Sequence, residues 1–293
     1  MRTSENQTQS RAPLREAVAF LAMTYVLSAA VSFFLPDSDL NMLLISCLPI
    51  VVLTILAFTM FRSGTRRELW RSTGVGRSGA RTWGSAFGLP LLLCGGAFAV
   101  ALLVGAGHVR PLHITGVSVL DFMINFAATL LVIMCEELGW RGFMLPRVQE
   151  LTDKRRAALI TGFAHGCFHL PLILIASTYD NVGPRWVAAP AAVLVITAAG
   201  VFYAWLWDRS GSLWAVSIGH TMANLTFALA FVGVASTTTN SLAFWAGETG
   251  VATLGAVVVL AVVLLRRAEV WQEPKVVVRM LPEKRVVSAA AYR

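Results

Sequence analysis

The feature that most constrains this chain is a run of apolar stretches, each about 20 residues long, that recurs along nearly its whole length. A helix rises 1.5 Å per residue, so each stretch can cross the roughly 30 Å of hydrocarbon in a bilayer. Eight are legible, at about 14–35, 40–61, 83–107, 117–138, 157–177, 188–207, 211–234 and 243–265. The expected fold is therefore all-α, a polytopic membrane helix bundle of about eight transmembrane helices. Composition agrees: 56% of residues are hydrophobic, only 14% are charged, and the mean hydropathy is +0.68. A soluble globular domain is more polar than this.

The net charge of +8 would suit a nucleic-acid partner if the basic residues gathered on one folded face with aromatic platforms. Instead they sort along the chain. Arg2, Arg11 and Arg15 precede the first span, and Arg62, Arg66, Arg67, Arg71, Arg77 and Arg81 fill the second loop. Arg141, Arg147, Lys154, Arg155 and Arg156 fall in the fourth loop, Arg209 in the sixth, and seven more follow residue 265. That places 22 of 24 basic residues in alternate segments and leaves Arg110 and Arg185 for the other side. The positive-inside rule then puts both termini in the cytoplasm, and no nucleic-acid partner is expected.

Cys47, Cys94, Cys135 and Cys167 all fall within spans, so no disulfide framework follows. The first apolar stretch is too long for a signal peptide and reads as a retained span. Residues 1–267 read as a single integral membrane domain, and 268–293, with Pro274 and Pro282, as a short cytoplasmic tail. GVGRSG at 74–79 matches a dinucleotide-binding pattern by letter. It lacks the preceding strand and following helix that give those glycines their use, and it reads as part of an Arg-rich loop.

Polar residues inside spans carry the functional signal, because each is costly in hydrocarbon unless it faces protein or a water-filled cavity. They cluster in three spans: Glu136 and Glu137 at the end of the fourth, His165 and His169 in the fifth, His220 and Asn224 in the seventh. Asp121, Asp208 and Glu248 lie near span ends and read as hydrated boundary residues. Glu137 and Arg141, four apart, share a helix face and can pair. Glu136 points about 100° away, and desolvation is expected to raise its pKa toward that of a useful general base.

Glu136 with His169 and His220 can do either of two jobs. They can hold a metal such as Zn²⁺ with an open position for water, or Glu136 with His169 can polarise water directly. In the second case His220 and Asn224 donate to an oxyanion, a role that suits a neutral amide better than zinc ligation does. Both lead to hydrolysis of an acyl bond. Each residue alone could be a packed interhelical contact, but five such residues on three spans would each need a separate partner.

EELGWR at 136–141 has the form EExxxR, HLP at 169–171 carries a histidine followed by Leu and Pro, and HTMAN at 220–224 has the form HxxxN. In this order the motifs resemble the CPBP family of intramembrane proteases, which includes type II CAAX prenyl endopeptidases and bacteriocin-processing or Abi-type proteins. The resemblance spans about 117–235, the expected catalytic core. It implies that Glu136 activates water, that Glu137 and Arg141 support the site, and that His169 assists Glu136. His220 with Asn224 would stabilise the oxyanion or help hold a metal. One departure stands out: the family carries an aromatic four residues before the second-motif histidine, and this chain carries His165.

Other intramembrane protease classes fit worse. The chain has no HExxH and no GxGD, Tyr179 and Asp180 fall in an expected external loop, and the short GS pairs at 84 and 211 do not supply the serine nucleophile paired with a helix histidine that a rhomboid needs. The expected function is an intramembrane endopeptidase, metal-dependent or glutamate-dependent. It would act on a membrane-associated peptide or protein, lipid-modified in one branch of the family, from a cavity opening toward the cytoplasm of a bacterial cell. The alternative is a membrane transporter or scaffold, in contact with lipids and without proteolysis, in which the charged cluster forms a relay.

Overall fold

The structure, a computed structural model, describes residues 2–36, 38, 40–61, 63–111, 115–176, 184–238 and 240–272, with side chains described from residue 12 onward. The expected tail is thus described only through Gln272, and Tyr179 and Asp180 lie outside the described residues. The elements run α1 Arg2–Phe34, α2 Leu40–Thr59, α3 Ser63–Ser72, α4 Trp83–Leu103, α5 Gly116–Gly139, α6 Leu145–Leu151, α7 Lys154–Phe168 and α8 Leu170–Leu174. They continue with α9 Arg185–Ser210, α10 Leu213–Gly233, α11 Ser241–Ala246 and α12 Val251–Arg267. Two three-residue strands, Gly107–Val109 and Val234–Ser236, pair antiparallel where the connections after α4 and α10 meet.

Among the described residues, eight helical stretches are long and apolar enough to cross a membrane: Ala12–Phe34, Leu40–Thr59, Ala80–Leu103, Gly116–Leu151, Lys154–Leu174, Arg185–Ser210, Leu213–Gly233 and Ser241–Arg267. The protein is an integral multi-pass membrane protein with an all-α bundle. The GVGRSG segment follows helix α3 rather than a strand.

The fourth span departs from the sequence reading. It does not stop near residue 138 but runs on through a π-helical turn at Trp140–Met144 into α6, ending at Leu151. Residues 136–145 are buried without a break, so this stretch is enclosed by protein on every side. Glu136 and Glu137 therefore sit inside a long helix, not at its end. Arg141 and Arg147, read above as loop residues, are buried within it. The reason is local pairing: Arg141 bonds Glu137, and the Arg147 guanidinium donates to Glu16 at 3.1 Å while lying 4.0 Å over the Phe143 ring. The α5 end of the same span is its opposite, with Thr115–Leu131 exposed or half-exposed throughout.

Two close approaches hold the core together. Where α2 crosses α5, a Cβ on Gly139 would collide with Pro49 and Phe20. Where α7 crosses α9, a Cβ on Gly162 would meet the Thr197 carbonyl oxygen at 2.7 Å, and one on Gly166 would meet the Val193 Cα and carbonyl oxygen at 3.0 Å. GFAHG at 162–166 is thus a small-xxx-small crossing of the kind that lets membrane helices touch backbone to backbone.

Candidate functional site

The residues of the site come from four elements that meet around one cavity of about 550 Å³. Among its lining residues are Glu136 from α5, His165 and His169 at the end of α7, Tyr203 from α9, and His220 and Asn224 from α10. His169 lies where α7 breaks into α8. Pro171 has no N–H for the Cys167 carbonyl four residues back, so a regular helix cannot continue. Helix α1 anchors the break: the Tyr25 hydroxyl donates to the Ala164 carbonyl at 2.8 Å and the Ser28 hydroxyl to the Phe168 carbonyl at 3.1 Å.

The ion pair expected from the Glu137–Arg141 spacing is present. Arg141 Nη1 is 2.9 Å from each Glu137 oxygen, and both side chains are buried. His220 Nδ1 lies 2.8 Å from Glu137 Oε1. A carboxylate only accepts, so Nδ1 carries the proton and donates, which leaves Nε2 as the other polar atom of that ring. The Tyr203 ring stacks on His220 at 4.9 Å and 23°, with the Arg141 guanidinium 5.0 Å from the same ring.

Glu136 belongs to a second, linked set. Its Oε1 is 2.9 Å from His165 Nε2 and 3.4 Å from His169 Nε2. His165 Nδ1 is 3.1 Å from Arg141 Nη1, so the two carboxylates connect through Glu137, Arg141, His165 and Glu136. Trp140 stacks on the His165 ring at 4.7 Å and 24°.

The structure thus brings Glu136, Glu137, Arg141, His169 and His220 together, with Asn224 one turn beyond His220 on the same cavity wall. The group whose ligand atoms all lie within 4.8 Å of one another is Glu136, His165 and His169. His220, in the set expected from the sequence, is not in that group, because its Nδ1 turns to Glu137 and His165 stands in its place. Asp208 is no free boundary residue either: Gln149 Nε2 donates to both its oxygens at 3.0 Å. Glu248 lines the cavity wall.

Sequence reasoning missed Tyr203 and Trp140, whose contacts are flat faces against imidazole rings. An aromatic within an apolar span gives no signal of that kind. The engagement of His165 was signalled by its i, i+4 spacing to His169, but its partners were not.

Residues 117–226, just over a third of the chain, match the family model described as Type II CAAX prenyl endopeptidase Rce1-like. No curated protein matches the chain. The matched segment runs from the start of α5 into α10 and contains every residue of the two linked sets described above. The match is to this segment and is consistent with the CPBP resemblance of its motifs.

Proposed function

We propose that this protein is an intramembrane endopeptidase that hydrolyses a peptide bond of a membrane-associated peptide or protein, with Glu136 activating the water. The observation that carries this reading is the juxtaposition of Glu136 with two imidazoles on the wall of a cavity, inside a segment that matches a protease family.

In this mechanism Glu136 takes a proton from water as the oxygen attacks the scissile carbonyl, and His169 assists it from 3.4 Å. Negative charge then develops on the carbonyl oxygen. The His220 Nε2–H, in the imidazolium form that Glu137 favours through Nδ1, and the Asn224 amide donate to that oxygen. Collapse of the tetrahedral intermediate breaks the C–N bond, and the proton held by Glu136 passes to the leaving amine. Glu137 and Arg141 hold His220 in place. Arg141 also shares with His220 the neutralising of the buried Glu137 carboxylate.

The cavity walls are largely apolar, with Leu93, Val132, Ile133, Val195 and Phe202 among them. That lining suits a hydrophobic peptide segment or one bearing a lipid chain. An even number of crossings is in keeping with both chain ends on one side of the membrane, and the distribution of Arg and Lys supports the cytoplasm as that side, in our reading the cytoplasmic membrane of a bacterium. Residues 1–267 act as one membrane domain.

A divalent cation such as Zn²⁺ is the other conceivable activator. By distance Glu136, His165 and His169 would hold it, and when bound it would supply a Lewis acid and a water of lowered pKa.

Glu136→Gln tests the proposal, since the amide keeps the shape but cannot take a proton. Turnover of a peptide substrate should fall by about 10²- to 10⁴-fold while folding and peptide binding persist. Cleavage by Glu136→Gln at the wild-type rate would overturn the reading.

A further inference from the structure

We propose that His165 is a positioning residue whose tautomer, set by Arg141, aims Glu136 at its water and closes the Glu136, His165 and His169 group to a metal ion. The positioning half rests on the protease reading; the metal half stands without it.

The argument begins at Arg141. Its guanidinium has only donors and stays protonated in proteins. One Nη1 hydrogen is engaged by Glu137, and the same nitrogen lies 3.1 Å from His165 Nδ1. That contact is a hydrogen bond only if Nδ1 offers a lone pair. The ring proton therefore resides on Nε2, where it meets an acceptor, Glu136 Oε1, at 2.9 Å. His165 is a neutral imidazole that accepts from a cation on one side and donates to a carboxylate on the other. Its ring lies against Trp140 at 4.7 Å and within 6.4 Å of Phe168, which resists a flip that would exchange the two nitrogens.

A metal-binding histidine needs the reverse arrangement. It gives a lone pair to the ion and donates its other N–H to an acceptor, usually a carboxylate or carbonyl. For a cation to take Nε2 here, the proton would have to move to Nδ1 and face the Arg141 N–H at 3.1 Å, donor against donor, where both side chains are buried. Without His165 the group keeps two protein ligands, Glu136 and His169, one short of the three that catalytic zinc sites use. By distance the residues fit a metal; by protonation they do not.

The same bond has a positive use. Both imidazoles approach Oε1 of Glu136, His165 at 2.9 Å and His169 at 3.4 Å. With Oε1 fixed, the second oxygen of this cavity-lining carboxylate is left to receive the water.

The experiment has two arms. Selective ¹⁵N-histidine labelling of the full chain in detergent reads the tautomer directly, with His165→Phe identifying the signals. We expect a pyridine-type Nδ1 and a pyrrole-type Nε2 that do not move when Zn²⁺ is added, and unchanged Zn²⁺ binding in His165→Phe. Arg141→Gln, whose amide oxygen can accept a hydrogen bond from an Nδ1–H, should gain at least tenfold in Zn²⁺ affinity. If that variant does not fold, the wild-type spectrum still decides. An imidazolium signal, the opposite tautomer, or a Zn²⁺-dependent shift of His165 would overturn the metal half.

The second arm measures peptide cleavage. His165→Phe keeps a ring beside Trp140 and should lose at least tenfold in kcat with KM little changed, while His165→Gln, which retains an N–H donor, should recover part of the loss. Equal kcat in all three proteins would overturn the positioning half. Because the first arm needs no turnover, a protein that cleaves nothing would defeat the protease reading and leave the tautomer assignment standing.

Discussion

Gly162→Ala probes how α7 presents His165 and His169 to α5. The added methyl carbon would stand 2.7 Å from the Thr197 carbonyl oxygen and 3.2 Å from the Thr197 Cα, both backbone atoms that cannot swing aside. Ordinary contact between such atoms lies near 3.5 Å, so the α7–α9 crossing would have to open by about 0.8 Å. Overpacking of this kind costs about 1–3 kcal/mol. Ala is also the better helix former by about 1 kcal/mol, which would mask part of the cost. Gly95→Ala and Gly255→Ala isolate it, since both glycines lie within helices and a Cβ there meets nothing within 4 Å. The difference between Gly162→Ala and those controls should be about 1–3 kcal/mol by thermal unfolding in one detergent. Function should suffer too: His165 rides on α7 one turn beyond Gly162, and a displacement near 1 Å at a catalytic constellation costs about 10²-fold in rate. If Gly162→Ala matches Gly95→Ala in both unfolding and cleavage, the rigid crossing is not what holds the site.

Other expectations are simpler to state. Tyr203→Phe should keep the stack on His220 and cleave peptide at close to the wild-type rate, whereas Tyr203→Leu should lose about 0.5–1.5 kcal/mol of ring contact and several-fold in kcat. Arg141→Met should destabilise the fold by up to about 3–5 kcal/mol in a denaturation assay, because it strips the guanidinium from the buried Glu137 carboxylate and leaves it the His220 Nδ1–H alone. At the membrane boundary, Asp153 caps α7 by accepting from the Arg156 N–H at 3.0 Å, and that bond to the charged form holds its carboxyl below the usual range. The cap's contribution is therefore full above the ordinary carboxylate pKa and is lost as pH falls through the lowered value. Unfolding temperature against pH should show this loss in the wild type but not in Asp153→Asn, whose amide oxygen still caps; Asp153→Ala should lose about 1 kcal/mol at neutral pH.

The bundle was legible in the sequence because a bilayer imposes one length on every span, and all eight stretches correspond to long apolar helices. The end of the fourth was not. The run of apolar residues stops near Leu138, yet the helix continues because buried pairing of Arg141 and Arg147 replaces apolarity as the reason for being inside. The Glu137–Arg141 contact followed from spacing along one helix, a local relation. Which imidazole meets which carboxylate depends instead on how α5, α7 and α10 are rotated against each other, and one chain of letters holds no record of that. GFAHG did carry a legible trace, two small residues four apart that mark where α7 lies backbone to backbone on another helix.

The π-helical turn at Trp140–Met144 gives that span a phase as well as a length. A π turn accommodates one more residue than an α turn, so everything beyond it is rotated by about 100° relative to an unbroken α-helix. Upstream of the turn the helix presents its two carboxylates; downstream, with the new phase, it presents Arg147 to Glu16 on α1 and Gln149 to Asp208 on α9. Straightening this turn into α-helix with every residue kept would carry both pairings off target by that 100°, whereas losing one residue within WRGFM together with the π turn would leave them in phase. At this place the number of residues and the type of turn that holds them together set the phase of the helix.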